Sequence, residues 1–343
     1  MSAPARPAGG TEVRTPGPDA APSEPLLRVR DLRVTFPPRR GHPAITAVDG
    51  VSFDIWPGST LGLVGESGSG KTTTGRAVLQ LQPVQAGSVS LLGKELTGMA
   101  GRRLREMRRH MQFVLQNPYS SLHPRMTVER ILAEPLQVHH TVPAHQVGAR
   151  VEELLTLVGL DPAVRRRYPH EFSGGQRQRI VIARALAVDP DFVVCDEPVS
   201  ALDVRIQAQI VDLLMSLQQR LGVSYLFIAH DLAVVRQIAD RVAVMFSGQI
   251  VELGAAADVY SAPAHPYTRM LLAAVPVPDP VEQRRRLAAV PEVPDFRGRP
   301  PDDPCVFGTD HASAGDAAWH EIGPGHGVSC RFWPPGVEPD GTL

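Results

Sequence analysis

Lysine is nearly missing from this chain: of its 35 basic residues only Lys71 and Lys94 are lysine and the rest are arginine. A bias that broad reflects the composition of the whole coding sequence, so a lysine kept at a chemical position carries information. Cysteine is almost as scarce. Cys195, Cys305 and Cys330 are too few and too scattered for the disulfide framework of a secreted domain, and they point to a reducing compartment, the cytosol. There is no surplus of either charge. A net charge of -1 argues against a chain that holds nucleic acid by neutralising phosphates, which needs a strong basic excess. Long hydrophobic runs are lacking too: the best candidate, residues 180–188, is short and interrupted by Arg184, whereas a bilayer span needs about 20 apolar residues. Any attachment to a membrane is then expected to run through partner proteins. Residues 1–25, rich in Pro, Ala and Gly, lack the basic start and apolar stretch of a signal peptide and read as a disordered leader.

What is present is a globular pattern. At 343 residues, 43% of them hydrophobic, the chain can bury one large core or two modest ones. Residues 26–56 alternate apolar and polar, which predicts half-buried antiparallel strands ahead of a Pro57-Gly58 turn. The runs at 61–64, 113–115, 192–195 and 223–229 are apolar without alternation, as suits parallel strands covered on both faces. Helix-like stretches separate them. The clearest covers 204–221, where Ile206, Ile210, Leu213, Leu214, Leu217 and Leu221 recur at helical spacing before a capping Gly222. Strands alternating with helices predict an α/β core. Residues 242–246 and 249–251, joined by Ser247-Gly248, read as a terminal hairpin, and beyond Gly254 frequent Pro, Gly and His suggest a smaller, looser region at 255–343.

Chemistry concentrates at three places. Gly65, Glu66, Ser67, Gly68, Ser69, Gly70, Lys71, Thr72 and Thr73 follow an apolar strand and open a helix, the context of a Walker A phosphate loop. Its glycines let backbone N–H groups approach phosphate oxygens, the helix start adds partial positive charge, Lys71 reaches the β- and γ-phosphates, and the Thr72 hydroxyl can hold Mg²⁺. Asp196 and Glu197 end an apolar strand, where α/β sheets bind ligands. Two acids there can be a solvated strand end; downstream of a phosphate loop they read as an Mg²⁺ ligand, Asp196, and a residue that polarises the attacking water, Glu197. Ser173, Gly174, Gly175 and Gln176 open a further helix and form a second phosphate-binding device or a plain helix cap. With no internal repeat, one nucleotide-binding unit per chain is expected.

The order of these elements resembles the ATP-binding subunits of ABC transporters. That resemblance implies an α/β P-loop NTPase (RecA-like) nucleotide-binding domain at 26–254, with an antiparallel β subdomain, a helical subdomain at about 117–185, and the smaller C-terminal extension. It further implies that Phe36 stacks on adenine and that Gln116 is the glutamine-loop residue, contacting nucleotide and Mg²⁺. Ser200 to Asp203 would be the D-loop and His230 the switch histidine reporting the γ-phosphate. The cofactors are then ATP and Mg²⁺. Each site would join Lys71 and its loop from one subunit to Ser173, Gly174, Gly175, Gln176 and Asp203 of another.

Residues 116–126 after the strand, and His265, Pro266 and Tyr267 downstream, resemble the oligopeptide and dipeptide importer group. The partners so implied are a second ABC ATPase subunit, two transmembrane permeases and an extracytoplasmic solute-binding protein, with the chain peripheral on the cytoplasmic face of the membrane. The alternatives are a nickel or other small-solute importer, an exporter, or a soluble ABC ATPase of DNA repair or translation. One departure stands out: with only Cys305 and Cys330 in the tail, beside His311, His320 and His326, a four-thiolate iron–sulfur cluster is not expected. The arginines from 102 to 109 read as a solvated helix face, with anionic headgroups the other reading.

Overall fold

Adjacent strands buried along nearly their whole length form the spine of the molecule. The computed structural model describes residues 24–38, 43–117, 121–275, 284, 319–330 and 333. Within them β1 (Leu27–Phe36), β2 (Ile45–Ile55), β4 (Ala86–Leu91) and β5 (Lys94–Glu95) make an antiparallel sheet in the order β2-β1-β4-β5. A second sheet has the order β11-β12-β10-β9-β3-β8-β7-β6. Its strands are β3 (Thr60–Val64), β6 (Met111–Val114), β7 (Phe192–Asp196), β8 (Ser224–Ala229), β9 (Arg241–Phe246), β10 (Gln249–Ala255), β11 (Trp319–Gly323) and β12 (His326–Ser329). Pairings among β9, β3, β8, β7 and β6 are all parallel.

The period of two in these strands divides the core between two layers. Leu61, Leu63, Phe192, Val194, Leu226, Ile228, Ala243 and Met245 face the antiparallel sheet and the helix α1 (Lys71–Val78). Val64, Val193, Cys195, Tyr225, Phe227, Val242 and Val244 face the other way. That second layer holds α3 (Val128–Val138), α4 (Val147–Leu157), α5 (Gly174–Leu186), α6 (Val204–Leu221) and α7 (Leu232–Ile238). A short arginine-rich helix, α2 (Gly101–Met107), precedes β6 and exposes Arg102, Arg103 and Arg105. Gly222 closes α6 at φ 70°, the left-handed position where a side chain is costly.

The hairpin expected at 242–251 forms as β9 and β10, with Ser247 and Gly248 both at positive φ. It is not terminal. β12 pairs with the free side of β10, so residues from beyond position 318 continue the same sheet. The reason is the long β10, which extends to Ala255 and offers an open edge for pairing. Between them, α8 (Ala256–Ser261) and α9 (Pro266–Ala273) pack back onto the core. Of the leader expected at 1–25, residues 1–23 lie outside the described residues.

Candidate functional site

β3 delivers the glycine-rich loop and α1 receives it. Gly65 sits at φ 151° and Gly70 at φ 105°; a Cβ on Gly65 would stand 2.1 Å from the Met245 carbonyl oxygen, and one on Gly70 would stand 2.2 Å from that of Ala47. Only glycine permits the close approach that wraps this loop. Inside it Lys71, 5% exposed, donates from Nζ to the carbonyls of Gly65 and Glu66, each at 2.7 Å. Burial holds its pKa below the usual lysine range, opposed by the carboxylates of Glu197, Asp196 and Glu66. The ammonium is therefore close-packed among acceptors that a phosphate can replace.

Thr72, one residue on, donates from Oγ1 to Asp196 Oδ1 at 2.8 Å across the gap between α1 and the end of β7. Asp196 is 3% exposed, and burial pushes its carboxyl above the ordinary range, with the Thr72 hydrogen bond and the charges of Arg76 and Lys71 pulling back. A hydroxyl and a desolvated carboxylate side by side are hard oxygen donors, and they fit Mg²⁺.

Glu197 takes the unusual backbone position. Its φ is 46°, a left-handed conformation costing a non-glycine residue about 1–2 kcal/mol, and its N–H is pinned to the Ile228 carbonyl at 2.9 Å. That turn places the carboxylate between two side chains from neighbouring strand ends: Gln116 Nε2 donates to its Oε2 at 2.7 Å, and His230 Nδ1 lies 3.4 Å from the same oxygen. Glu197 and His230 line a cleft with Ser200 and Ala229. Gln116 thus engages through its amide nitrogen on Glu197. Residues 118–120 of the following loop lie outside the described residues.

The other expected residues occupy a second face. Ser173 caps α5, its Oγ accepting from Gln176 N–H while the Gln176 side chain accepts from Ser173 N–H, a closed capping box. Gly174 and Gly175 press on α6 and its approach: a Cβ would meet Leu202 Cδ2 at 3.2 Å and Ile206 Cγ2 at 2.6 Å respectively. Asp203 caps α6 through Ile206 N–H at 3.1 Å. The side-chain hydrogen bonds of Ser173 and Gln176 stay within the cap, and among the described residues none runs to the loop at 65–72. Phe36, 38% exposed, pairs with Ile45, two residues before the Ala47 carbonyl that touches Gly70. An exposed aromatic therefore stands near the loop. Ser67, Gly68, Ser69 and Thr73 complete the loop; Ser69 Oγ lies 3.4 Å from Lys71 Nζ.

One contact went unread in the sequence. Tyr267, singled out in the sequence only as part of the element resembling the importer group, brings its hydroxyl to Glu66 N–H at 3.0 Å, 201 residues away. In the tail, Cys330 is buried, whereas Cys305 and His311 lie outside the described residues; among those described, no group of three or more His, Cys, Asp or Glu side chains could hold a metal.

The family described as ABC transporter matches residues 48–200, and the family described as oligopeptide/dipeptide transporter, C-terminal region, matches residues 251–310. The glutathione import ATP-binding protein GsiA of Pectobacterium atrosepticum is 52% identical over 280 residues, 80% of this chain and 45% of that protein. Its counterpart from Escherichia coli K12 is 54% identical over 266 residues, 76% of this chain and 43% of that one. The chain thus spans less than half the length of these relatives. Among solved structures, the ATP-binding cassette MJ0796, a dimer in a post-hydrolysis state bound to ADP and Pi, superposes with a TM-score of 0.61 at 26% identity, covering 67% of this chain and 99% of that one.

Proposed function

The chain belongs to the ABC transporter ATP-binding family and carries the C-terminal region of its oligopeptide/dipeptide transporters, and from that footing we propose that it binds and hydrolyses ATP to energise import of small peptides through partner permeases. The observation that supports this best is the convergence of Gln116 and His230 on Glu197, next to a buried lysine and a Thr72–Asp196 oxygen pair. The relatives named for glutathione import favour a short peptide as cargo.

In this reading Lys71 exchanges its loop carbonyls for the β- and γ-phosphates of ATP, and Phe36 takes the adenine face. Thr72 and Asp196 would hold Mg²⁺, which when bound offsets phosphate charge. Glu197 orients a water on the γ-phosphorus and accepts its proton, Gln116 keeps the carboxylate aimed, and His230 meets the γ-phosphate. The new P–O bond forms as the bond to the bridging β,γ-oxygen breaks, leaving ADP and phosphate. Ser173, Gly174, Gly175, Gln176 and Asp203 of a second ATPase subunit close over the nucleotide. Two permeases and an extracytoplasmic solute-binding protein complete the importer, with this chain on the cytoplasmic face of the membrane. Among the described residues no helix is long and apolar enough to cross a membrane, so attachment falls to those partners.

Glu197→Gln tests the assignment, because it keeps shape and removes the base. The variant should retain ATP binding, lose turnover by about 10²–10⁴-fold, and accumulate as an ATP-bound pair on size-exclusion chromatography with light scattering. Normal turnover by the assembled variant would remove Glu197 from this role. Stimulation of ATPase by candidate peptides in the reconstituted complex decides the cargo.

A further inference from the structure

The Gly65-Glu66 peptide group is held at both ends. Its carbonyl accepts the Lys71 ammonium at 2.7 Å, and its N–H donates to the Tyr267 hydroxyl at 3.0 Å. The first anchor is temporary in any nucleotide cycle, because Lys71 must turn from the loop carbonyls to meet phosphate. The second comes from outside the loop and stays. Without it this peptide could rotate cheaply: rotation changes ψ of residue 65 and φ of residue 66, and residue 65 is a glycine already at φ 151°. A rotated peptide would turn the Gly65 carbonyl, and with it the start of the amide-lined loop, out of register with the phosphates.

Tyr267 is itself rigidly mounted. It lies in the first turn of α9, its ring is fully buried against Phe246 at a centroid distance of 4.6 Å, and its own N–H donates to His265 Nδ1 at 3.1 Å. The turn before it is fastened to β10 by Glu252, a fully buried carboxylate that accepts from Ala264 N–H at 2.8 Å, His265 N–H at 2.9 Å and His326 Nε2 at 2.9 Å. Strands β10 and β12, α9 and the phosphate loop are thereby one connected hydrogen-bonded unit. Burial also pushes the phenol up to about 12, so it remains a hydroxyl across the physiological range.

We propose that Tyr267 is a positioning residue of the nucleotide site: its hydroxyl sets the orientation of the Gly65-Glu66 peptide, and through it the C-terminal region of this chain tunes nucleotide affinity. The inference rests on the reading of the loop at 65–72 as the ATP site.

Tyr267→Phe removes one oxygen and keeps the ring. The adjoining Thr268 is the matched control, since it is equally buried and its Oγ1 has no hydrogen-bond partner among the described residues, so Thr268→Val removes a hydroxyl that makes no bond there. Binding of methylanthraniloyl-labelled ATP with Mg²⁺ to the full chain should weaken about three- to tenfold in Tyr267→Phe and stay at the parent value in Thr268→Val. Hydrogen exchange should rise at the peptide spanning the phosphate loop in the first variant only. Affinity of Tyr267→Phe within twofold of the parent overturns the proposal, and so does an equal loss in Thr268→Val, which would assign the effect to packing. If the parent chain binds no better than Lys71→Ala, the ATP-site reading itself falls, and this inference with it.

Discussion

The helix start at Lys71 and the helix start at Ser173 draw on the same chemistry, glycines and a hydroxyl ahead of free backbone N–H groups, yet the protein treats them differently. At the first, everything is tied inward. Lys71 sits among loop carbonyls, Thr72 bonds Asp196, Gly70 lies against the Ala47 carbonyl, and Tyr267 fastens Glu66 from the far end of the chain. At the second, Ser173 and Gln176 are exposed and bond only each other, with Leu202 and Ile206 as backing. Nearby Asp203 is exposed and Val204 is 81% exposed, an apolar side chain presented to solvent. One helix start is thus tied into the fold and the other is presented outward, the contrast on which the proposed sharing of sites between two copies, or two related subunits, rests.

The largest effect should come from separating these halves. Lys71→Ala removes the buried charge and Ser173→Arg blocks the presented cap; each variant alone should lose ATP turnover by about 100-fold or more while keeping its fold by circular dichroism. Mixed, the two should regain turnover, because a mixed pair contains one site with both halves intact. A mixture no more active than its components would break the self-paired arrangement and direct attention to a different partner subunit.

The two glycine contacts sharpen the comparison at intermediate size. Gly175→Ala puts a methyl 2.6 Å from Ile206 Cγ2, a side chain that can shift, so overpacking should cost about 1–3 kcal/mol. Gly70→Ala presses on backbone at φ 105° and should cost more. Thermal melts run side by side check the order; equal losses would mean that the first helix start is no more rigid than the second.

Much of this was legible in the sequence because local patterns carry it. Uninterrupted apolar runs marked β3, β7 and β8 as doubly covered strands, the run at 113–115 marked only part of the half-buried edge strand β6, and Gly222 marked the end of α6. The glycine-rich loop at 65–72 and the Asp196-Glu197 pair, picked out by residue type and context, are brought together in the fold by the Thr72–Asp196 hydrogen bond. Unread contacts depend on distance along the chain. Nothing local says that Tyr267 reaches back 201 positions to Glu66, or that β12 completes an edge left open by β10. The composition beyond Gly254 suggested looseness, and composition is blind to pairing. The left-handed backbone of Glu197 was equally hidden, since non-glycine residues give no such signal.

The smallest effect tests the electrostatic side of the same contrast. Burial raises the Asp196 carboxyl pKa above its unfolded value, so its ionised form is disfavoured in the fold. Below the unfolded pKa of about 3.9 the residue is protonated in both states and costs nothing; as pH climbs through the raised folded value the penalty reaches its full size and persists at neutrality. Asp196→Asn should therefore raise the melting temperature at pH 7, and the gain should disappear near pH 3. Ser173→Ala, at a helix start with no buried carboxylate beside it, should show no such pH profile. Addition of Mg²⁺ and ADP should reverse the order, stabilising the parent over Asp196→Asn, since the desolvated carboxylate that weakens the empty fold is the group proposed to meet the cation. Equal stabilisation of both by Mg²⁺ and ADP would show that the burial of Asp196 serves the fold alone.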